Sequence, residues 1–241
     1  DRLHEQLEEA IYVFILVIAI RSIDGGHKNH NTMLINVSRF NDVQRGVYGL
    51  VEDFLQSFMN SVRAFGGLSK EKRKKYFSDI EDIFNADFKS EKYNFEDVFD
   101  EIKGFGKKIK VEMVNGLKAK KVKSLDYDSY KNSGYWVIAI GGLKLSRGLT
   151  LEGLSVSFFY RNAMAYDTLT QMCRWYGYRP GYKDLCRLYL TTASEEHYQN
   201  VADCIRDLDV QLKIMEETKG RPAEFGLKVT TPEASTRKER G

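Results

Sequence analysis

At 241 residues, 42% apolar and 12% aromatic, the chain can bury one sizeable core and a smaller helical appendage, and it is expected to fold as a soluble globular unit. Lysine and arginine total 37 against 34 acids, so the net charge of +3 supplies no global attraction for an anionic partner, and any basic patch has to be local. Cys173, Cys186 and Cys204 make an odd number without CxxC or zinc-ligand spacing, which argues against a disulfide framework or a structural zinc and fits a reducing cytoplasm.

In chain order, the opening DRLHEQLEEA is acidic where a secretory signal would be basic, and it reads as a cut inside a longer protein. Leu3, Leu7, Ile11, Phe14, Ile15 and Ile18 recur at helical spacing and predict a helix over 2–22. Its run from Ala10 to Ile20 is 11 residues long, whereas a bilayer span needs about 20, so a buried helix and no membrane partner are expected. The loop SIDGGHKNHN follows, then TMLINV as a buried strand. Leu50, Val51, Phe54, Leu55, Phe58, Met59 and Val62 mark a long amphipathic helix, with shorter helices at 70–85 and 95–103, the last capped by Asn94. KIKVEMV, YWVIAIGG, LSVSFFY and LCRLYLTT read as further strands, separated by enough chain for crossovers, which predicts an α/β fold with a mostly parallel sheet. Thr192 with Glu195 forms a capping box for a helix reaching residue 218. The expected organisation is one lobe of residues 1–47 and 105–220, a helical insertion at 48–104, and an extended segment at 221–241 leading to the rest of a parent protein.

No GxxxxGK[ST] occurs, so the chain lacks a Walker A loop of its own. After the strand YWVIAI come Gly141 and Gly142, then Ser146-Arg147-Gly148-Leu149-Thr150, then Leu151-Glu152-Gly153-Leu154 into the next strand. Glycine-rich backbone at a strand end can cradle phosphates. Further on, DTLTQMCRWYGYRPGY opens with Asp167 as a helix cap and gathers Gln171, Arg174 and Arg179, and paired guanidinium groups suit an anionic substrate.

In this order the two segments resemble motifs V and VI of superfamily-two helicases, and MLINVSRFNDVQ resembles their motif IV. More narrowly, SRGLTLEGL with DTLTQMCRWYGYRPGYKDL closely resembles the Z-one domain, a family that carries an endonuclease label and is fused to superfamily-two ATPases. The resemblance covers roughly residues 1–230 and is strongest over 135–192. It implies a RecA-like second lobe, its sheet flanked by helices, that completes an ATP site built mainly on an N-terminal P-loop lobe of the parent. ATP and Mg would be bound only there, and DNA, or RNA, would be gripped across both lobes within a bacterial defence or repair enzyme. It implies an arginine finger at Arg174 or Arg179, with Gln171 sensing the nucleotide. Arg147, Gly148 and Thr150, behind Gly141 and Gly142, match the turn that couples the ATP site to the nucleic-acid backbone, while Ser38 and Arg39 match a phosphate contact. The helicase pattern QxxGRxxR is not reproduced to the letter: Arg174 follows Gln171 by three residues, and the finger stays open between the two arginines.

Between Lys103 and Lys123 eight lysines face one acid, Glu112, and Lys118, Lys120 and Lys121 form a local footprint for nucleic-acid phosphates. The other reading of the whole chain is a noncatalytic DNA- or protein-binding module that keeps the lobe shape. KEKRKK at 70–75 reads as a solvated run. His27 and His30 lie near Asp24 without a third and fourth ligand in sequence and read as a surface loop, so no metal site is expected. Asp97 with Glu101-Ile102-Lys103 is the one passable metal-nuclease pattern, and it falls on a helix, where a nuclease centre is not expected.

Overall fold

A computed structural model of the chain describes residues 2–38, 40–90, 92–105, 109–114, 125–142, 151–160 and 181–218. The chain divides into two compact units, one of residues 1–161 and 170–190, the other of 162–169 and 191–241.

The first unit is built on a five-stranded sheet in the order β2-β3-β1-β4-β5, with β1 at Asn31–Asn36, β2 at Ile109–Val114, β3 at Trp136–Gly141, β4 at Leu154–Phe159 and β5 at Arg187–Leu190. Every pairing is parallel, which sharpens the expected mostly parallel sheet to an entirely parallel one in a RecA-like α/β arrangement. The three central strands are buried along their whole length, as strands of a parallel sheet covered on both faces should be. Register separates the two faces. Ile35 lies between Ile140 of β3 and Phe158 of β4, and these three belong to the main core with Met33, Ile138 and Val156. Leu34 lies between Ala139 and Ser157, which point to the opposite face, as the two-residue period of a strand requires.

The main core lies between the sheet and four helices: α1 (Glu5–Arg21), α2 (Asn41–Phe65), α3 (Lys70–Asp87) and α4 (Phe95–Lys103). α1 is apolar almost all round and buried from Ala10 to Ile20 apart from part of Tyr12, so its run is a core helix. Among the described residues no helix is long and apolar enough to cross a membrane. Glu5 and Glu8 in its first turn and Arg21 in its last complement the helix dipole. α2 to α4, the segment read as an insertion, share this core with α1 and the sheet. Their seam is aromatic: Phe58 meets Phe77 edge-on, Phe77 meets Phe99, and Phe95 meets both Phe84 and Phe99, with centroids 4.9–6.1 Å apart. Each such ring, when buried, contributes about 1.5–3 kcal/mol. The basic run that opens α3 is not uniformly solvated, because Arg73 turns inward, pairs with Glu96 and lies over the Phe99 ring at 4.5 Å. Asn94 caps α4 as expected, its Oδ1 accepting from the Asp97 amide at 3.0 Å.

After α1 the chain makes a π-helical turn, Ser22–Gly26, in which Gly25 takes φ +86°. Asp24 in this turn is held by Lys92 Nζ at 2.7 Å and by the Tyr93 hydroxyl at 2.6 Å, which tie the turn to the link between α3 and α4. Burial raises the Asp24 carboxyl, but the two hydrogen bonds outweigh it and hold the group below its ordinary value of 3.8. Folded Asp24 therefore binds its proton less readily than the unfolded chain does, so its stabilisation is complete above the unfolded carboxylate value and is lost as pH falls through the lower folded one. Thermal melts from neutral to strongly acid pH are expected to show wild type and Asp24→Asn converging in acid. A gap that persists unchanged there contradicts this assignment.

In the second unit the described residues form one helix, α5 (Thr192–Thr218). Its cap is Thr191, one residue earlier than the expected capping box of Thr192 with Glu195. The Thr191 carbonyl accepts from the Glu195 amide at 2.9 Å and its Oγ1 from the Ser194 amide at 3.2 Å, so Thr192 is already inside the helix.

Candidate functional site

The chain leaves β1 toward β2 at one edge of the sheet and leaves β4 toward β5 at the other, although β1 and β4 are neighbours. Where adjacent parallel strands send their connections in opposite directions, a crevice opens at their carboxyl ends, and ligands of α/β proteins bind there. Ser38 stands just past the end of β1, and Gly141 ends β3 with Gly142 directly behind it, so these expected site residues share the carboxyl edge. The other expected residues, Arg39, Lys118, Lys120, Lys121, Arg147, Gly148, Thr150, Gln171, Arg174 and Arg179, lie outside the described residues. In chain order, segment 143–150 leaves from the carboxyl end of β3 and segment 161–180 from that of β4.

Ser38 is already engaged by its own loop. Its Oγ accepts from the Phe40 amide at 3.1 Å, and its carbonyl accepts from Gln44 Nε2 at 2.7 Å. The hydroxyl proton remains for an outside acceptor. α2 begins at Asn41 with Phe40 at the N-cap, a residue that offers no capping oxygen, so the first-turn amides of α2 meet the carboxyl edge without a side-chain cap.

Two residues that the sequence reading passed over belong to this edge. Asn36, the last residue of β1, is buried, its carbonyl accepts from the Tyr160 amide at 3.1 Å beyond β4, and among the described residues its side-chain Oδ1 has no hydrogen-bond partner. Gln44 is 1% exposed, and its Oε1 is likewise unsatisfied. Buried acceptors without donors are costly and mark places where a ligand can supply the missing bond. The signal in the sequence was a polar residue closing an otherwise apolar strand.

The remaining candidates are held by local contacts. His30 accepts the Tyr135 amide at Nδ1 (3.0 Å), so its ring proton sits on Nε2, 3.7 Å from Glu152. His27 faces Glu101 at 3.8 Å, and among the described residues no three His, Cys, Asp or Glu side chains converge as a metal site would require. Asp97 and Glu101-Ile102-Lys103 do fall on a helix, α4, where Lys103 pairs with Asp100 at 2.6 Å. Of the eight lysines between 103 and 123, Lys110 lies over the Tyr130 ring at 4.7 Å. A hollow of about 480 Å³ lies between α2 and β2, lined by Glu52, Arg63, Lys110 and Glu112 among others, and among the described residues neither Ser38, Gly141 nor Gly142 lines it.

Compared with known proteins, residues 6–236 match a family model, the Z1 domain. Comparison with curated proteins and with solved structures returns no match.

Proposed function

We propose, for a chain that belongs to the Z1 domain family, that it acts as the second lobe of an ATP-dependent nucleic-acid motor in the cytoplasm, completing an ATP site on a separate P-loop lobe and contacting the nucleic-acid backbone. The observation that carries the reading is the carboxyl edge at the topological switch point. There Ser38, Gly141 and Gly142 come together, and the segments bearing Arg147 and the Arg174/Arg179 pair depart from the neighbouring strands. The absence of GxxxxGK[ST] from the sequence requires the P-loop, and the Mg that accompanies ATP, to come from another lobe. Arginine would then supply what phosphoryl transfer lacks, a planar cation over the γ-phosphate oxygens as negative charge spreads across them. Uncapped amides of α2 and the Ser38 hydroxyl suit a phosphate of the nucleic-acid backbone.

The test is ATP hydrolysis by a polypeptide that joins this chain to a P-loop lobe, with and without DNA and with and without RNA. Turnover stimulated by nucleic acid is the expected result, and turnover indifferent to it would reduce the chain to a binding module. The lysine footprint gives a separate readout. Replacing Lys118, Lys120 and Lys121 together by alanine is expected to flatten the salt dependence of DNA affinity by about 2–3 in log–log slope, since each phosphate contact to duplex contributes about 0.9. An unchanged slope removes these lysines from the interface.

A further inference from the structure

At the opposite, amino-terminal edge of the sheet lies a second cavity of about 350 Å³, lined by Arg21, Asp24, Gly26, Asn29, His30, Glu152, Gly153, Gly181 and Tyr182. These residues immediately precede β1, β4 and β5. Arg21 is the feature that needs explaining. It closes the apolar helix α1, is 8% exposed, and among the described residues pairs with no carboxylate. Its Nη1 donates to the His30 carbonyl at 3.0 Å and to Asn31 Oδ1, and its guanidinium lies 4.0 Å from the centroid of the Tyr182 ring. Those bonds occupy one nitrogen, so the Nε–H and Nη2–H edge, the pair that engages a carboxylate in parallel, is left for the cavity. A buried cation without a counter-ion is expensive, and burial correspondingly weakens the hold of Arg21 on its proton.

We infer that this cavity is a binding site for a small carboxylate, whose two oxygens bridge Nε and Nη2 of Arg21 while Tyr182 covers the opposite side of the guanidinium. The two acids of the cavity set the class of anion. Asp24 is neutralised by Lys92, whereas Glu152 is half-exposed and among the described residues pairs with no lysine or arginine, its nearest basic group being His30 Nε2 at 3.7 Å. A monoanion tolerates that neighbour better than a phosphate dianion does. The site lies at the other end of the strands from the nucleotide reading and stands independently of it.

Proton–nitrogen NMR of the whole chain tests the site with acetate as probe at ionic strength fixed with chloride, following the Arg21 Nε–H resonance where Arg21 is present and the backbone amides of His30, Gly153 and Tyr182 in every variant. The expected result is a saturable shift with acetate, weaker binding of inorganic phosphate above neutral pH, and acetate binding weakened about tenfold in Arg21→Lys, which keeps the charge and loses the fork. Glu152→Gln, a change at an exposed position, is expected to tighten phosphate while leaving acetate nearly unchanged. Should Arg21→Lys fail to fold, the wild-type and Glu152→Gln titrations still decide. No saturation with acetate, an equal shift with chloride, or acetate binding untouched by Arg21→Lys overturns the site. Phosphate bound more tightly than acetate by the wild type overturns the carboxylate assignment.

Discussion

On the proposed second-lobe function, ATP turnover in a polypeptide that joins this chain to a P-loop lobe is expected to fall about a thousandfold or more when the proposed arginine finger is removed, and Arg174→Ala and Arg179→Ala test which of the two it is. The size follows from the chemistry. Phosphoryl transfer makes little use of covalent catalysis, so charge stabilisation and positioning supply most of the rate, and a guanidinium in a dry cleft cannot be replaced by water. Loss in only one variant, with the fold intact by circular dichroism, names the finger. Loss in both points to arginines that divide the β- and γ-phosphates between them. Full activity in both would leave the Z1 lobe without a role in hydrolysis.

Gly153→Ala is expected to cost about 2–5 kcal/mol of stability, since among the described glycines an added Cβ meets its nearest neighbour most closely here. Gly153 sits at φ +66°, where an L residue pays about 1–2 kcal/mol, and a Cβ there would overlap the carbonyl of His30. Neither partner can yield cheaply. The Gly153 carbonyl accepts the Thr32 amide at 3.0 Å and the neighbouring Glu152 carbonyl accepts the Thr32 hydroxyl at 2.6 Å, so the same backbone sets the start of the β1–β4 pairing. The Thr32 hydroxyl also meets Tyr127 OH at 2.8 Å, and burial pushes that phenol up to about 12. Urea unfolding should show a lower midpoint with an unchanged slope, and a loss of less than about 1 kcal/mol would show that the loop can relax around the added carbon.

Much of this architecture could be read from the sequence because the central strands and α1 are buried on all sides, which leaves predominantly apolar segments, continuous in α1 and β3 and interrupted only by small polar residues in β1 and β4. What could not be read depends on single polar letters. Arg73 looked like one of six charges on a solvated run and is a buried partner of Glu96, and Arg21, which no motif marked, is buried at the end of α1. The cap of α5 slipped by one residue because two threonines stand side by side and only the backbone decides between them. The carboxyl-edge location of Ser38 and Gly141 followed from motif order, yet the same order concealed a division. A connection between parallel strands must run the length of the sheet, so the string from Gly141 to Leu154 begins at one edge and delivers Glu152 and Gly153 to the other. Asn36 stands out in the sequence as a polar letter at a strand end, but that it and Gln44 carry unsatisfied acceptors was illegible, because an orphaned acceptor is defined by what surrounds it.

The central position of β1 has a consequence for how the protein is made. Asn31 pairs with Trp136 on one side and Thr32 with Leu154 on the other, so both partners lie more than a hundred residues downstream. At ribosomal speeds of about 5–20 residues per second, β1 emerges roughly 5–25 seconds ahead of the two strands that pair with it. Contacts this distant in sequence also make for slow closure of the sheet. β1 thus waits with both hydrogen-bonding edges open until β3 and β4 have been made, which makes this strand a natural client for a chaperone.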